Sequence, residues 1–424
     1  MRIIRSSDRE VLEQFASRDE ARNGNVERQA ARIVSDVRRR GDVAVREWTE
    51  KLEDRLRRRN GVTTPAVTAR KTTQLSTAEI KRGWAATPEP VRNAIRLAVK
   101  NLESVATRQV PRPFVVNVGP GHAIEQRVQA LSRVGCYVPG GRYPLPSTLL
   151  MTAVPARVAG VKDIVVTCPR PTPVVLAAAL EAGATEVYEV GGAQAIGALA
   201  YGTETIARVD KIVGPGNAWV AAAKAFVSRD CPIDLHAGPS EIVVCSDRGR
   251  PEWIAADLIA QAEHDPAARA IFVTTKTRLA QAVSVEVDRQ MPATGPAAAS
   301  IARNGAIVVA RTRREAVAVV NRLAPEHLVI DAEDNPDLYR AAGTIFVGEF
   351  SVQAAGDYCT GSNHVLPTGG AARFRGGLSA SDFVRVFSVQ TLTERGLARI
   401  GPSVIALAEA EGLTGHANSV RVRL

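Results

Sequence analysis

The sequence predicts an α/β protein made of two Rossmann-like, incomplete parallel-sheet domains, preceded by a helical region and followed by a small helical tail. Two observations carry this. After PRPF (Pro111 to Phe114), short β-rich runs alternate with alanine-rich helical windows, the pattern of parallel βαβ units. The alternation then occurs a second time after EIVVCS (Glu241 to Ser246), so two related domains with a cleft between them are expected.

Taken in order, residues 1 to about 105 read as helices, because VERQAARIVSDVRRR and PEPVRNAIRLAVKNLESVA carry apolar positions at three- and four-residue spacing. The first alternating block runs through DIVVTCP, PVVLAAALEAGA, EVYEVGG, AQAIGALA, VDKIVGPGN and AWVAAAKAFV. The second runs through IAADLIAQAEH, AIFVTT, RLAQAVSVEVDRQM, GAIVVA, REAVAVVNRLA, HLVIDA and GTIFVGEF. From about Ser379 the pattern is helical again (VQTLTERGLARIGPSVIALAEAEGL), closing on the extended-looking NSVRVRL. This last segment is too short for an independent domain.

The 424 residues carry a net charge of +10, with 45% hydrophobic and 4% aromatic residues. A basic balance would suit an anionic partner, but the arginine runs VRRR (Val37 to Arg40) and RLRRR (Arg55 to Arg59) lie in charge-mixed helical sequence with few aromatics nearby. They read as solvated helix faces, and no nucleic-acid partner is expected. Cys136, Cys168, Cys231, Cys245 and Cys359 show no CxxC spacing, which suits a reducing compartment. The N-terminal stretch lacks an apolar signal core and no later run approaches a membrane span, so a cytoplasmic protein with no membrane partner is expected.

In APEHLVI, Glu326 and His327 set an acid beside a base at the start of an apolar run. Within a strand they would point to opposite faces; in the loop before it they could share one site. In IAQAEHD, Gln261 and His264 are three apart on a predicted helix, a spacing that by itself suits a solvent-exposed helix end. Asp357 and His364 lie in the glycine-rich loop AAGDYCTGSNHVLPTGG, and Glu411 and His416 near the C-terminus in EGLTGHANS. Gln261, His264, Asp357 and His416 together offer two nitrogens and two oxygens, which suits zinc or manganese. VPGGRYP, VGGAQAIG and VGPGNAW place glycine turns between strand and helix, where N–H groups can meet a phosphate. None is a full GxGxxG fingerprint, so dinucleotide binding would be atypical.

The blocks RVGCYVPGG, LPSTLLM, VGGAQAIGALAYGTE, VDKIVGPGNA, AGPSE, DLIAQAEH, APEHL, GDYCTGSNHVLPTGG and EGLTGHANSV resemble, in order, those of the histidinol dehydrogenases. The resemblance covers nearly the whole chain from about Arg28 and implies oxidation of L-histidinol to L-histidine with two NAD and one zinc per subunit. It implies zinc ligands at Gln261, His264, Asp357 and His416, and a catalytic pair at Glu326 and His327. It further implies substrate contacts at Ser240, His364 and Glu411, beside the zinc ligands and His327, and NAD contacts at Tyr137, Gln194 and Asn217. It departs from the family pattern at His236, Cys359 and Ser362, which flank site residues without replacing them. In such a reaction His327 would take the alcohol proton and Glu326 would activate the water that hydrates the aldehyde. A homodimer that exchanges its C-terminal tails is implied as well. The expected division is residues 1–25 as an N-terminal arm, 26–114 with 242–378 as a first α/β domain carrying the pair and most ligands, 115–241 as a second, NAD-contacting domain, and 379–424 as the exchanged tail. A related dehydrogenase acting on another alcohol, such as a sulfonated diol, is the alternative; the carboxylate of Glu411 suits a cationic amino alcohol better than a sulfonate.

Overall fold

The computed structural model describes residues 1–16, 24–59, 74–140, 144–236 and 238–424, the side chains at 9, 16 and 53–59 excepted. The arginine side chains of RLRRR, residues 141–143 of the VPGGRYP turn and Ala237 of AGPSE lie outside the described residues. Strand β1 (Arg2–Arg5) comes first, then a hairpin of β2 (Phe114–Gly119) and β3 (His122–Ala130). A first parallel series follows in β4 (Arg133–Tyr137), β5 (Asp163–Thr167), β6 (Glu186–Tyr188) and β7 (Lys211–Val213). A second comprises β8 (Glu241–Cys245), β9 (Arg269–Thr274), β10 (Gly305–Val309), β11 (His327–Ile330) and β12 (Thr344–Val347), and β13 (Val384–Leu392) comes last.

The two series form separate parallel sheets, ordered β6-β5-β4-β7 and β1-β10-β9-β8-β11-β12. In each, the chain builds outward on one side of its first strand and then crosses to the other. The strand order therefore reverses between β4 and β7 and between β8 and β11, the positions where α/β sheets open a crevice at their carboxyl ends. Helices cover both faces, which is why β8 is buried throughout and runs apolar from Ile242 to Cys245 instead of alternating.

The helices between residues 24 and 109 belong to the four-stranded sheet, not to the six-stranded one as the sequence division has it. Ile33, Val34 and Val37 of the helix Gly24–Arg40 share a core with Tyr137, Ile196 and Leu199. Ile95, Val99 and Leu102 of the helix Glu89–Gln109 share another with Val134, Leu149 and Ile164. An amphipathic stripe states that a helix face must be covered but not by which sheet. Likewise the expected N-terminal arm is an integral part of the six-stranded sheet. β1 pairs in parallel with β10, and Leu12 of the helix Arg9–Ala16 packs in the core with Val319 and Val320.

The C-terminal segment also differs from its sequence reading. Val384–Leu392 is a strand that pairs antiparallel with β3 from Val384 beside Ala130 to Leu392 beside His122, forming a third sheet ordered β13-β3-β2. Partners so far apart in sequence leave only the period-two alternation of VRVFSVQTL as a local sign. Beyond it, the helices Glu394–Ala410 and Thr414–Arg421 pack on each other, and most of NSVRVRL is helical rather than extended.

Candidate active site

Pairing of β8 with β11, His327 beside Ile242, brings Glu241 level with Glu326 at the amino end of the six-stranded sheet. Glu326 lies in the bend before β11 and His327 is the strand's first residue, so the two neighbours escape the alternation of a pleat. The Glu326 carboxylate comes to 3.7 Å from His327 Nδ1. Glu241 holds both through its main chain: its N–H donates to Glu326 Oε2 at 2.8 Å, and its carbonyl accepts from His327 Nδ1 at 3.2 Å. A ring nitrogen facing a carbonyl must carry the proton, which leaves the lone pair on Nε2 of the neutral ring. Burial pushes the Glu326 carboxyl up to about 7, against the pull of His327. Burial alone would depress His327, but the Glu326 and Asp357 charges outweigh it and hold the imidazole above its ordinary value. The pair can thus exchange protons near neutrality.

Asp357 closes the short helix Gln353–Gly356 after β12. Three imidazoles surround its carboxylate: His327 Nε2 at 3.7 Å, His264 Nε2 at 3.8 Å and His364 Nδ1 at 3.9 Å. Burial would raise this carboxyl; His327 above all counteracts it, and the net direction is downward. Burial holds His364, whose Nδ1 donates to the Asp357 carbonyl at 2.9 Å, below the ordinary imidazole value. Two further residues, which the sequence reading did not single out, fix this arrangement. Buried Gln353 donates Nε2 to Asp357 Oδ2 at 3.0 Å; its four-residue spacing from Asp357 is the signal that could have revealed it. Phe346 stacks on His327 with ring centroids 6.2 Å apart. A Cβ at Gly356 would meet the Phe346 ring at 2.6 Å, so glycine lets the helix bearing Asp357 lie against the ring that backs the base.

Gln261 occupies the last turn of the helix Pro251–Ala262, with His264 just beyond its end. Among the described residues, both amide atoms of Gln261 are buried without a hydrogen-bond partner. Leaving them so costs about 1–3 kcal/mol each, a cost removed when an outside group engages them. An oxygen donor beside His264 and Asp357 therefore fits a cation, and the set contains no thiolate, as zinc or manganese with N and O ligands would want. Among the described residues, no three His, Cys, Asp or Glu side chains already enclose a metal-holding point. Ser240 immediately precedes Glu241, and its carbonyl accepts from the Arg269 N–H at 2.9 Å. Glu411 and His416 are exposed on the helical tail, and among the described residues neither hydrogen-bonds nor ion-pairs with the rest of the set.

At the carboxyl end of the four-stranded sheet, Tyr137 ends β4 and its hydroxyl accepts from the Gly192 N–H at 3.1 Å. A Cβ on Gly214 would approach the Tyr137 carbonyl oxygen to 2.1 Å, so Tyr137 touches the turns after both β6 and β7. Gln194 is buried; its Nε2 donates to Thr49 at 3.3 Å, while its Oε1 has no partner among the described residues. Asn217 caps the helix Ala218–Val227, accepting from the N–H groups of Trp219 and Val220. Tyr137 and Asn217 follow β4 and β7, the strands on either side of the reversal, and the Gly192 N–H links Tyr137 to the first turn of the helix that carries Gln194. The loop after Asp357 ties the two sheets together, since Asn363 donates to the Met151 carbonyl and Asn101 to that of Cys359, both at 2.7 Å. A separate cavity of about 320 Å³, lined by Ser246, Trp253, Asp257 and Asp331, lies at the opposite end of β8 and β11 from the catalytic pair.

Oxidising an alcohol requires a base for the hydroxyl proton, an anchor that fixes the carbon, and a crevice for the hydride acceptor. One chain joining these on two parallel sheets is an α/β oxidoreductase. The family model described as histidinol dehydrogenase matches residues 16–424. The chain is 43% identical to histidinol dehydrogenase 1 of Nostoc sp. over 440 residues, covering 100% of this chain and 99% of the relative. It is 46% identical to the histidinol dehydrogenase of Geobacillus kaustophilus over 404 residues, covering 92% of each. The crystal structure of histidinol dehydrogenase from Elizabethkingia anophelis superposes with a TM-score of 0.91 at 32% identity, covering 100% of this chain and 98% of that one. The chain belongs to the histidinol dehydrogenase family.

Proposed function

We propose that the chain oxidises L-histidinol to L-histidine through L-histidinal, with two NAD consumed in turn, as the last step of histidine biosynthesis in the cytoplasm. The observation that carries this is the 3.7 Å contact between Glu326 and His327 under the main chain of Glu241, beside Asp357. Neutral His327, protonated on Nδ1, offers Nε2 to the hydroxyl and removes its proton as the carbon is oxidised. The aldehyde has no hydride to lose until water adds. Glu326, whose carboxyl is poised near 7, takes the proton of that water while His327 returns the proton it holds to the aldehyde oxygen, and the neutral His327 so restored accepts a proton from the gem-diol in the second oxidation.

Gln261, His264 and Asp357, with His416 from a second subunit, would hold one zinc, and Tyr137, Gln194 and Asn217 would border the NAD. When bound, zinc supplies an anchor for the substrate's imidazole and amine, and NAD the acceptor for hydride. Ser240, His364 and Glu411 would complete the substrate's surroundings, the Glu411 carboxylate matching its ammonium group. The unengaged amide of Gln261 supports the metal assignment, and the reversal between β4 and β7 supports the nucleotide's position.

A homodimer with exchanged tails accounts for the exposed position of Glu411 and His416. The antiparallel sheet and tail expose Val115 at 61%, Leu407 at 67% and Val422 at 79%, an apolar surface that a second copy would cover. The test is the ratio of NADH formed to histidinol consumed by the zinc-loaded protein. Two is expected. A ratio near one would remove the role given to Glu326, and no NADH at all would overturn the proposal.

A further inference from the structure

We infer that Lys224 and Asp234 are positioning residues for the nucleotide, an inference that rests on the NAD reading above. Lys224 projects from the helix Ala218–Val227, and Asp234 lies in the segment that follows that helix. Their side chains are only 4% and 1% exposed and form an ion pair. Replacing such a buried pair by apolar residues of similar volume is often neutral or stabilising, so its contribution to folding does not explain its presence. What the two charges hold is more telling. The Lys224 ammonium donates to the Gly214 carbonyl at 2.7 Å, and Asp234 Oδ2 accepts from the Gly214 N–H at 2.6 Å.

Opposite charges thus grip the two polar groups of one residue and fix the peptide planes on either side of it. That residue has φ +111° and no room for a Cβ against the Tyr137 carbonyl. Gly214 begins the turn VGPGN, which leads from β7 to Asn217 at the sheet's reversal. Asp234 is tied in further: its Oδ1 accepts from the Leu235 N–H at 2.6 Å, and its carbonyl accepts from Arg375. The ion pair therefore sets the direction in which the Gly216–Asn217 turn presents its N–H groups. A dinucleotide, whose pyrophosphate reads such groups, would sense that direction, whereas an amino alcohol at the other sheet would not.

The experiment uses the zinc-loaded, full-length protein and NAD as the probe. Lys224→Met/Asp234→Leu removes both charges together and avoids stranding one of them. The KM for NAD should rise about tenfold or more, with the KM for histidinol and kcat at saturating NAD within about threefold of wild type. Titration of NAD without histidinol should show the same loss of affinity. If the double variant does not fold, Asp234→Asn, which keeps an acceptor for Gly214, should show the same selective rise at smaller size. An unchanged KM for NAD, or equal losses toward both substrates, overturns the inference while leaving the proposed function standing. A wild-type protein that binds NAD in the titration but makes no NADH from histidinol overturns the proposed function alone, and one that binds no NAD overturns both.

Discussion

Glu241 holds His327 by a main-chain carbonyl, and the 3.2 Å contact decides which imidazole nitrogen is free to act as a base. Because the bond comes from the backbone, substitution of the Glu241 side chain does not delete it. Replacement of the ring does.

His327→Asn should therefore slow both oxidations, by about 10² to 10⁴, since each needs a proton taken from oxygen. Glu326→Gln should slow the second oxidation at least about tenfold more than the first, because only the second needs activated water. Supplying histidinal separates the steps; equal impairment by the glutamine variant would contradict the division of labour.

Gln261→Leu should act in opposite directions on the two forms of the protein. The metal-free chain loses two unsatisfied buried atoms and should unfold at higher urea concentration. Zinc retained after dialysis against a weak chelator should fall, with affinity lowered about tenfold or more. Unchanged zinc content would remove Gln261 from the ligand set.

Exchange of tails predicts complementation between two defective chains. His327→Asn and His416→Ala subunits, unfolded, mixed in equal amounts and refolded, should regain about a quarter of the wild-type sites, because half the dimers are mixed and each mixed dimer has one intact site. No recovery, with mixed dimers shown to be present, would mean that each tail serves its own body.

Asp257 gives a stability signature independent of catalysis. Burial pushes its carboxyl up to about 6, above the roughly 3.9 of an unfolded chain. A raised acid binds its proton more tightly when folded, so stability falls as pH rises from about 4 to 6 and stays lowered above. Asp257→Asn should remove this loss, raising unfolding free energy by up to about 3 kcal/mol at pH 8 and by far less at pH 4. Urea midpoints at the two pH values measure it; equal shifts at both would refute it.

The legible parts of this molecule were those with local signatures. Both parallel series could be read from apolar runs bounded by turns, and Glu326 and His327 stood out as an acid beside a base at the start of one such run, with the choice between strand and loop left to the fold. Three features had little or no local signature. Helices 24–109 could not declare which sheet they cover, β1 is only four residues long, and β13 finds its partner some 260 positions away. In the site, Gln261 and His264 could be paired by spacing, but their meeting with Asp357 depends on the packing of two distant helices. The roles of Gln353, Glu241 and Lys224 are hydrogen bonds that only coordinates display.

The pairing of β1 with β10 joins Arg2 to Ala306 and Arg5 to Val309. During synthesis the first strand leaves the ribosome some three hundred residues before its partner exists, about a quarter of a minute to a minute at roughly 5–20 residues per second. Over that interval β1 is an unpaired edge, while the helices and strands of the four-stranded sheet emerge behind it and can consolidate first. Its closing neighbours arrive late, so the six-stranded sheet that carries the catalytic pair is the part of the chain most exposed to interception by a chaperone, and the part whose assembly a stalled or truncated transcript would forfeit.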